Sequence, residues 1–304
     1  MFDNVKITFR TNWGRYYRKY ICTIPKYLSS SGEYVYYNPN YRDFYVTFQN
    51  GKVIIRGSLH KFYKGNNYTA FSKSQIENAI AEFCEIFMID ENDKNIRFTL
   101  LEFGLNVPLN NLPLLYAKCM INYKNSPFIL SKPRIRSKII WGTSCSKTDY
   151  VIKFYDKFLV EYLKSKDGSM KKILFRKAIN EKLLRLEVVY LRPKLRFANL
   201  VNLKSLYSSD FLNEIIEDFN NIYENIVKRK KLDTSTMTVP DLKRYYNGQL
   251  EEYWEDLHQI SPSSHKKELE LYKQLPTKYE FKPEDLITEL DSKISDVFHL
   301  LLST

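Results

Sequence analysis

The dipeptide Asn50-Gly51 separates two runs of alternating apolar and polar residues, 43–49 and 52–59. Asn and Gly tolerate the positive φ angles of a two-residue turn whose twist matches paired strands, so this spacing predicts a β-hairpin. Residues 4–9 and 33–37 alternate in the same way, and Asn38-Pro39-Asn40 marks a further turn. The N-terminal part is therefore expected to be an antiparallel sheet.

A helix is predicted over about 72–89, where Ser72 and Gln75 form a capping box and Ile76, Ala79, Ile80, Phe83, Cys84 and Phe87 keep the helical period. Residues 96–107 read as a central strand, 111–120 as a short helix, 124–148 as a basic loop, and 149–157 and 181–191 as further strands. Beyond Pro193 the apolar spacing becomes helical to the end of the chain. The fold class predicted is α+β: an antiparallel sheet with flanking helices over 1–200, followed by an all-helical region over 201–304.

Charge divides in the same place. Residues 1–204 carry 35 Lys/Arg against 16 Asp/Glu, and residues 205–304 carry 12 against 19. A basic domain attracts phosphate, and its cations are interleaved with rings, as in Arg15-Tyr16-Tyr17-Arg18-Lys19-Tyr20. That mixture suits single strands, because bases stack on rings while cations follow the backbone. The acidic half points to dimerisation or protein contact, with host replication proteins as the partners that the resemblance described below implies; Lys228-Arg229-Lys230-Lys231 and Lys243-Arg244 leave a DNA-binding helix-turn-helix as the other reading. No apolar run reaches the roughly 20 residues of a membrane span, and the first residues lack a signal-peptide pattern. Four scattered cysteines with no C-x-x-C pair fit reduced thiols. The expected location is the cytoplasm; a bacterial host cell is what the resemblance described below implies.

The chemistry is expected around Val151-Ile152-Lys153-Phe154-Tyr155-Asp156-Lys157. Read as a strand, it puts Tyr155 and Lys157 on one face, where the cation would favour the phenolate. Tyr155 is then a candidate nucleophile and Lys157 its activator; a structural tyrosine beside a solvated lysine is the other reading. Glu102 and Glu187 each lie inside an apolar strand, a costly place for an unpaired carboxylate. A cross-strand ion pair with Arg97 or Arg185 would satisfy one of them. Two such carboxylates flanking the tyrosine strand point to a divalent cation, and oxygen ligands select Mg²⁺ or Mn²⁺. His60 is a third candidate ligand, with a satisfied structural imidazole as its alternative. Arg56, Lys61, Lys64, Asn66, Lys132, Arg134, Arg136, Lys153 and Arg185 are the expected nucleic-acid contacts.

At these residues the chain resembles a family. The segment from Gly57 through His60, Lys61 and Lys64 to Gly65-Asn66-Asn67 is similar to the lysine and Gly-x-Asn segment of phage replication initiators of the gene II/X type. The strand around Glu102 resembles that family's Arg-hydrophobic-Asp-x-x-Phe strand, with Glu in place of Asp. Trp141-Gly142-Thr143-Ser144, Phe154-Tyr155-Asp156-Lys157 and Arg185-Leu186-Glu187 follow the order found in rolling-circle plasmid initiators. The resemblance covers about residues 50–195 and lacks the His-hydrophobic-His pair of relaxase-type enzymes. It implies a metal-dependent DNA endonuclease and strand transferase. Such an enzyme nicks single-stranded or hairpin origin DNA through Tyr155 and forms a 5′-phosphotyrosine link, freeing a 3′-hydroxyl for rolling-circle replication of a phage or plasmid. A non-catalytic protein whose sheet presents rings to single-stranded nucleic acid is the alternative.

Overall fold

The computed structural model describes residues 2–28, 32–131, 139–229, 231–280 and 285–303. Its strands are β1 (Phe2–Arg10), β2 (Ile24–Leu28), β3 (Glu33–Tyr41), β4 (Phe44–Gln49), β5 (Lys52–Ser58), β6 (Arg97–Pro108), β7 (Met120–Tyr123), β8 (Ser126–Pro127), β9 (Ile129–Ser131), β10 (Gly142–Ser146), β11 (Tyr150–Asp156), β12 (Leu183–Tyr190) and β13 (Ile226–Lys228). The helices that follow or interrupt them are α1 (Gly14–Tyr16), α2 (Leu59–Lys64), α3 (Lys73–Phe87), α4 (Pro113–Ala117), α5 (Lys157–Lys164), α6 (Gly168–Asn180), α7 (Pro193–Arg196), α8 (Ser209–Glu224), α9 (Val239–Asn247), α10 (Glu251–Ile260), α11 (Pro262–Lys278) and α12 (Leu286–Ser303). Among the described residues these form a ten-stranded sheet in the order β2-β3-β4-β5-β1-β6-β12-β11-β10-β9, and a small sheet β13-β7-β8. The protein is α+β, and its C-terminal part is mainly helical.

The Asn50-Gly51 hairpin forms with φ angles of 50° and 72°, and Gln49 pairs with Lys52 across it. The Ser72–Gln75 capping box starts α3, and Met88 in a left-handed conformation ends it. Phe83 and Phe87 of α3 pack on Phe44, with ring centroids 5.1 and 5.7 Å apart. Further along the same face, Phe211 and Phe219 of α8 pack on Phe2 and Phe103 at 5.8 and 5.4 Å. Those contacts keep α8 with the sheet. The first compact unit therefore runs over 1–227 with 290–304, and the second over 228–289. The structural division does not follow the change of charge near residue 200.

The second unit is built on α9, α10 and α11, with Leu232, Tyr245 and Leu275 at its core. In it Arg244 bonds Asp241 and Glu268 at 2.6 and 2.7 Å, so that cation is already engaged. No helix among the described residues is long and apolar enough to cross a membrane. The described cysteines are all free thiols.

Two expectations of local structure change. The basic stretch 124–148 is not wholly a loop: β8, β9 and β10 lie within it, and β10 pairs along β11 from Gly142–Tyr155 to Ser146–Val151. The tyrosine strand also ends one residue early. Asp156 accepts a hydrogen bond from the Leu159 amide and caps α5, so Lys157 opens a helix instead of closing a strand.

Candidate metal and tyrosine site

Strand register builds the site. Lys153 stands opposite Glu187 and Tyr155 opposite Arg185 on β11 and β12. Across the next ladder Arg185 faces Asn106, Glu187 faces Gly104, and Val189 faces Glu102. Side chains alternate along a strand, so Glu102, Asn106, Lys153, Tyr155, Arg185 and Glu187 share one face. Phe103, Leu105, Ile152, Phe154, Leu186 and Val188 take the other face and are buried. Asp3 of β1 joins the polar group, and one oxygen each from Asp3, Glu102 and Glu187 lies within 4.8 Å of the others.

The Tyr155 hydroxyl donates to Glu187 Oε1 at 2.5 Å. Arg185 donates from Nε to the same oxygen at 3.0 Å, from Nη1 to Asn106 Oδ1 at 3.1 Å, and from Nη2 to Asp3 Oδ2 at 3.4 Å. Lys153 Nζ lies 3.4 Å from Glu187 and 3.7 Å from Glu102. Asp3 also accepts from Ser58 Oγ and Asn67 Nδ2. Lys153 forms the open rim, its side chain 29% exposed, while Glu187 and Arg185 are covered. Trp141 stands edge-on to the Tyr155 ring at 5.6 Å.

The electrostatics divide the two glutamates. Burial acts to raise the Glu187 pKa, but the Arg185 guanidinium, then Lys153 and Lys157, hold it far below the usual carboxylate range. Glu102 is pushed up to about 8, first by burial and then by the charge on Glu187. Two carboxylates that cannot both ionise comfortably mark a site short of positive charge, even with Arg185 and Lys153 present. A set of three carboxylate oxygens suits a hard divalent cation. Asp3, Glu102 and Glu187 therefore fit a metal ion, which would displace the proton from Glu102.

Lys157 does not stand beside the phenol as the strand reading expected. Its Nζ pairs with Glu161 at 3.1 Å and lies 6.0 Å from the Tyr155 ring centre. The cause is the early helix start described above, which turns Lys157 out of the strand's two-residue phase. The Tyr155 pKa accordingly rises well above that of a free phenol, from burial first and then from Glu187. Glu161 also binds Lys61 at 2.8 Å, and the two lysines overcome burial to hold its pKa at about 2.

His60 is fully buried and stacked on Phe71 at 4.5 Å. Neither ring nitrogen has a hydrogen-bond partner, and burial, then Arg185, lowers its pKa to about 3. The imidazole is neutral, but it is not among the three groups that converge. Arg56 is exposed, and Lys64 lies in the last turn of α2. Asn66 closes a turn by accepting from the amides of Tyr68 and Thr69. Lys153 and Arg185 are held within the site, and Lys132, Arg134 and Arg136 lie outside the described residues.

Asp3 was not legible as a ligand. The predicted strand starts at residue 4, and a register shift between Phe2 and Val5 breaks the alternation that would have marked Asp3. Gly104 is also part of the site. A Cβ there would lie 2.8 Å from Glu187 Cγ and 2.9 Å from Arg185 Nε. Gly104→Ala is expected to cost about 1–3 kcal/mol by overpacking, and to weaken any ion held by Glu187. Chemical denaturation with and without Mn²⁺ measures both effects; an unchanged midpoint would show that the glycine is dispensable.

Comparison of the chain with protein-family models and with curated proteins returns no match.

Proposed function

We propose that this protein is a metal-dependent DNA nicking and joining enzyme, an initiator of rolling-circle replication for a phage or plasmid. The observation that carries the reading is the 2.5 Å bond from the Tyr155 hydroxyl to Glu187, a carboxylate that itself belongs to a three-acid cluster. A phenol held on a candidate metal ligand supports a reading in which a phosphate bound to that ion meets it.

On this reading Asp3, Glu102 and Glu187 hold Mg²⁺ or Mn²⁺, which when bound supplies positive charge to the scissile phosphate. Glu187 orients the phenol and is the nearest acceptor for its proton. Tyr155 attacks phosphorus, its O–P bond forms as the bond to the 3′-oxygen breaks, and that oxygen leaves and takes up a proton from solvent at the open rim to become the free 3′-hydroxyl, while the proton on Glu187 returns to solvent. Lys153, at the open rim, neutralises a non-bridging oxygen. Arg185 acts through Glu187 and Asp3 as a positioning residue. Single-stranded or hairpin DNA is the substrate class, because an unpaired backbone can bend its phosphate toward a partly covered site.

The test is incubation of the full chain with 5′- and 3′-labelled single-stranded oligonucleotides and Mn²⁺, followed by denaturing electrophoresis. A protein–DNA adduct carrying the 3′ label is expected, and Tyr155→Phe abolishes it. An adduct of equal yield in that variant, or none from the wild type with any origin-like hairpin offered, would refute the strand-transfer reading.

A further inference from the structure

The sheet is uncovered on one side across β4, β5, β1 and β6. Phe44, Val46, Val53, Ile55, Val5 and Ile7 are buried on the helix-covered side, whereas the alternate residues between them remain exposed or half-exposed. That open side carries Lys6, Arg10, Lys52, Arg56 and Arg97. The ladder sets Lys6 directly opposite Arg56, and Arg10 directly opposite Lys52; Arg97 lies across from Thr8 on the other flank. Like charges placed face to face across strands oppose folding. Among the described residues none of the five cations makes an ion pair.

The same face opens into a groove of about 1190 Å³ lined by Arg10, Lys52, Lys94, Arg97 and Arg192, with Asp93 as the one carboxylate in its lining. The Asp93 carboxylate is bonded to Asn95, through the amide at 2.8 Å and the side chain at 2.9 Å. Cations kept in opposed pairs, with five to one in the groove, make a field that attracts a polyanion.

We propose that this open face binds a single strand of nucleic acid, with its phosphates on Lys6, Arg10, Lys52, Arg56 and Arg97. The spacing fits. Alternate residues of β1 are about 6.7 Å apart, close to two nucleotide steps of a stacked strand at about 3.4 Å each. The rings select an unpaired strand over a duplex. Tyr45 is 45% exposed, lies directly opposite Arg56, and is roughly parallel to Tyr37 at 6.5 Å, which offers faces on which bases stack. The row also has a direction. Ser58, two residues beyond Arg56 on the same strand face, bonds Asp3, so the cations lead toward the three carboxylates. The binding goes beyond the strand-transfer reading and does not depend on it.

The experiment is fluorescence anisotropy of the full chain with a labelled 20-nucleotide single strand and the matching duplex, in EDTA, between 50 and 200 mM KCl. Omitting divalent ions separates this surface from the carboxylate site. The single strand is expected to bind more tightly than the duplex. The triple variant R10Q/K52Q/R97Q is expected to bind it at least about tenfold more weakly at 100 mM salt. Its log–log salt slope should be shallower by about 2, since each lost phosphate contact on a single strand removes roughly 0.7. Tyr45→Ala is expected to weaken binding about fivefold or more, with the slope unchanged. All four side chains are exposed, so a melting curve confirms that each variant folds. Equal affinity and slope in the triple variant, or tighter binding of the duplex, would overturn the proposal. Loss of the adduct described above would leave this one standing.

Discussion

Arg185→Met is expected to unfold this protein at a melting temperature lower by roughly 10 °C, because stripping one partner from a buried ion pair costs about 3–5 kcal/mol and each kcal/mol moves a protein of this size by about 2–4 °C. Arg185 is 1% exposed and donates to Glu187, Asn106 and Asp3 together. Without it two carboxylates lose their strongest counter-charge while remaining out of water. The pH dependence of the metal-free protein should steepen as well. In the wild type the Glu187 pKa is depressed, so its contribution is present above the ordinary carboxylate pKa and declines as pH falls through the lower folded value. In the variant that pKa rises, so Glu187 adds its own loss of stability with rising pH to the one that Glu102 alone gives the metal-free wild type. The double variant Arg185→Met with Glu187→Gln removes a charge from each side and should recover much of the loss. Calorimetry of the three proteins at pH 5 and 8 reads these outcomes. A single variant that melts within 2 °C of the wild type would mean that Arg185 does not hold the carboxylates together.

The parts of this fold that were readable in advance share a cause: they depend on neighbours in the chain. The Asn50-Gly51 turn needs two positive φ angles, and α3 needs its Ser72–Gln75 box. Glu102, Tyr155 and Glu187 were recognisable because charge or phenol in an apolar alternation is expensive without a reason, and in the fold they share a sheet face. Lys157 was misplaced by one capping bond. The Asp156 carboxylate binds the Leu159 amide, and a two-residue phase cannot survive a change from strand to helix. Asp3 was missed because it sits beside an irregularity in β1, and its partners Ser58, Asn67 and Arg185 come from distant segments. The boundary near residue 200 was drawn from charge, but contacts of Phe211 and Phe219 with the sheet decide where the first unit ends. Charge sets what a surface attracts, whereas apolar packing sets what folds together.

The carboxylate cluster makes a second strong expectation, set by the unusual state of Glu102. With no cation bound, its pKa of about 8 means that the folded protein keeps a proton that the unfolded chain releases at ordinary carboxylate values. The folded side therefore binds more protons over the interval between, and metal-free stability falls as pH rises from about 4.5 toward 8. A divalent ion must displace that proton, so its affinity rises through the same interval. Ionisation of a group with pKa near 8 grows about 25-fold between pH 6.5 and 8.5, and Mn²⁺ affinity should grow by at least about tenfold. At 100 times its dissociation constant the ion adds about 2.7 kcal/mol, an upward shift of roughly 5 °C or more. Glu102→Gln removes the titrating group: the metal-free protein should then hold its stability at pH 8, and the upward shift with Mn²⁺ should vanish.

Calorimetric titration of Mn²⁺ into the full chain at pH 6.5 and 8.5, alongside Asp3→Asn and Glu187→Gln, addresses the cluster most directly. One ion bound per chain is expected, tighter at the higher pH with proton release, and weakened at least about tenfold by either substitution. No binding to the wild type, or the same affinity in all three proteins, would contradict a cation held by Asp3, Glu102 and Glu187 beside Tyr155.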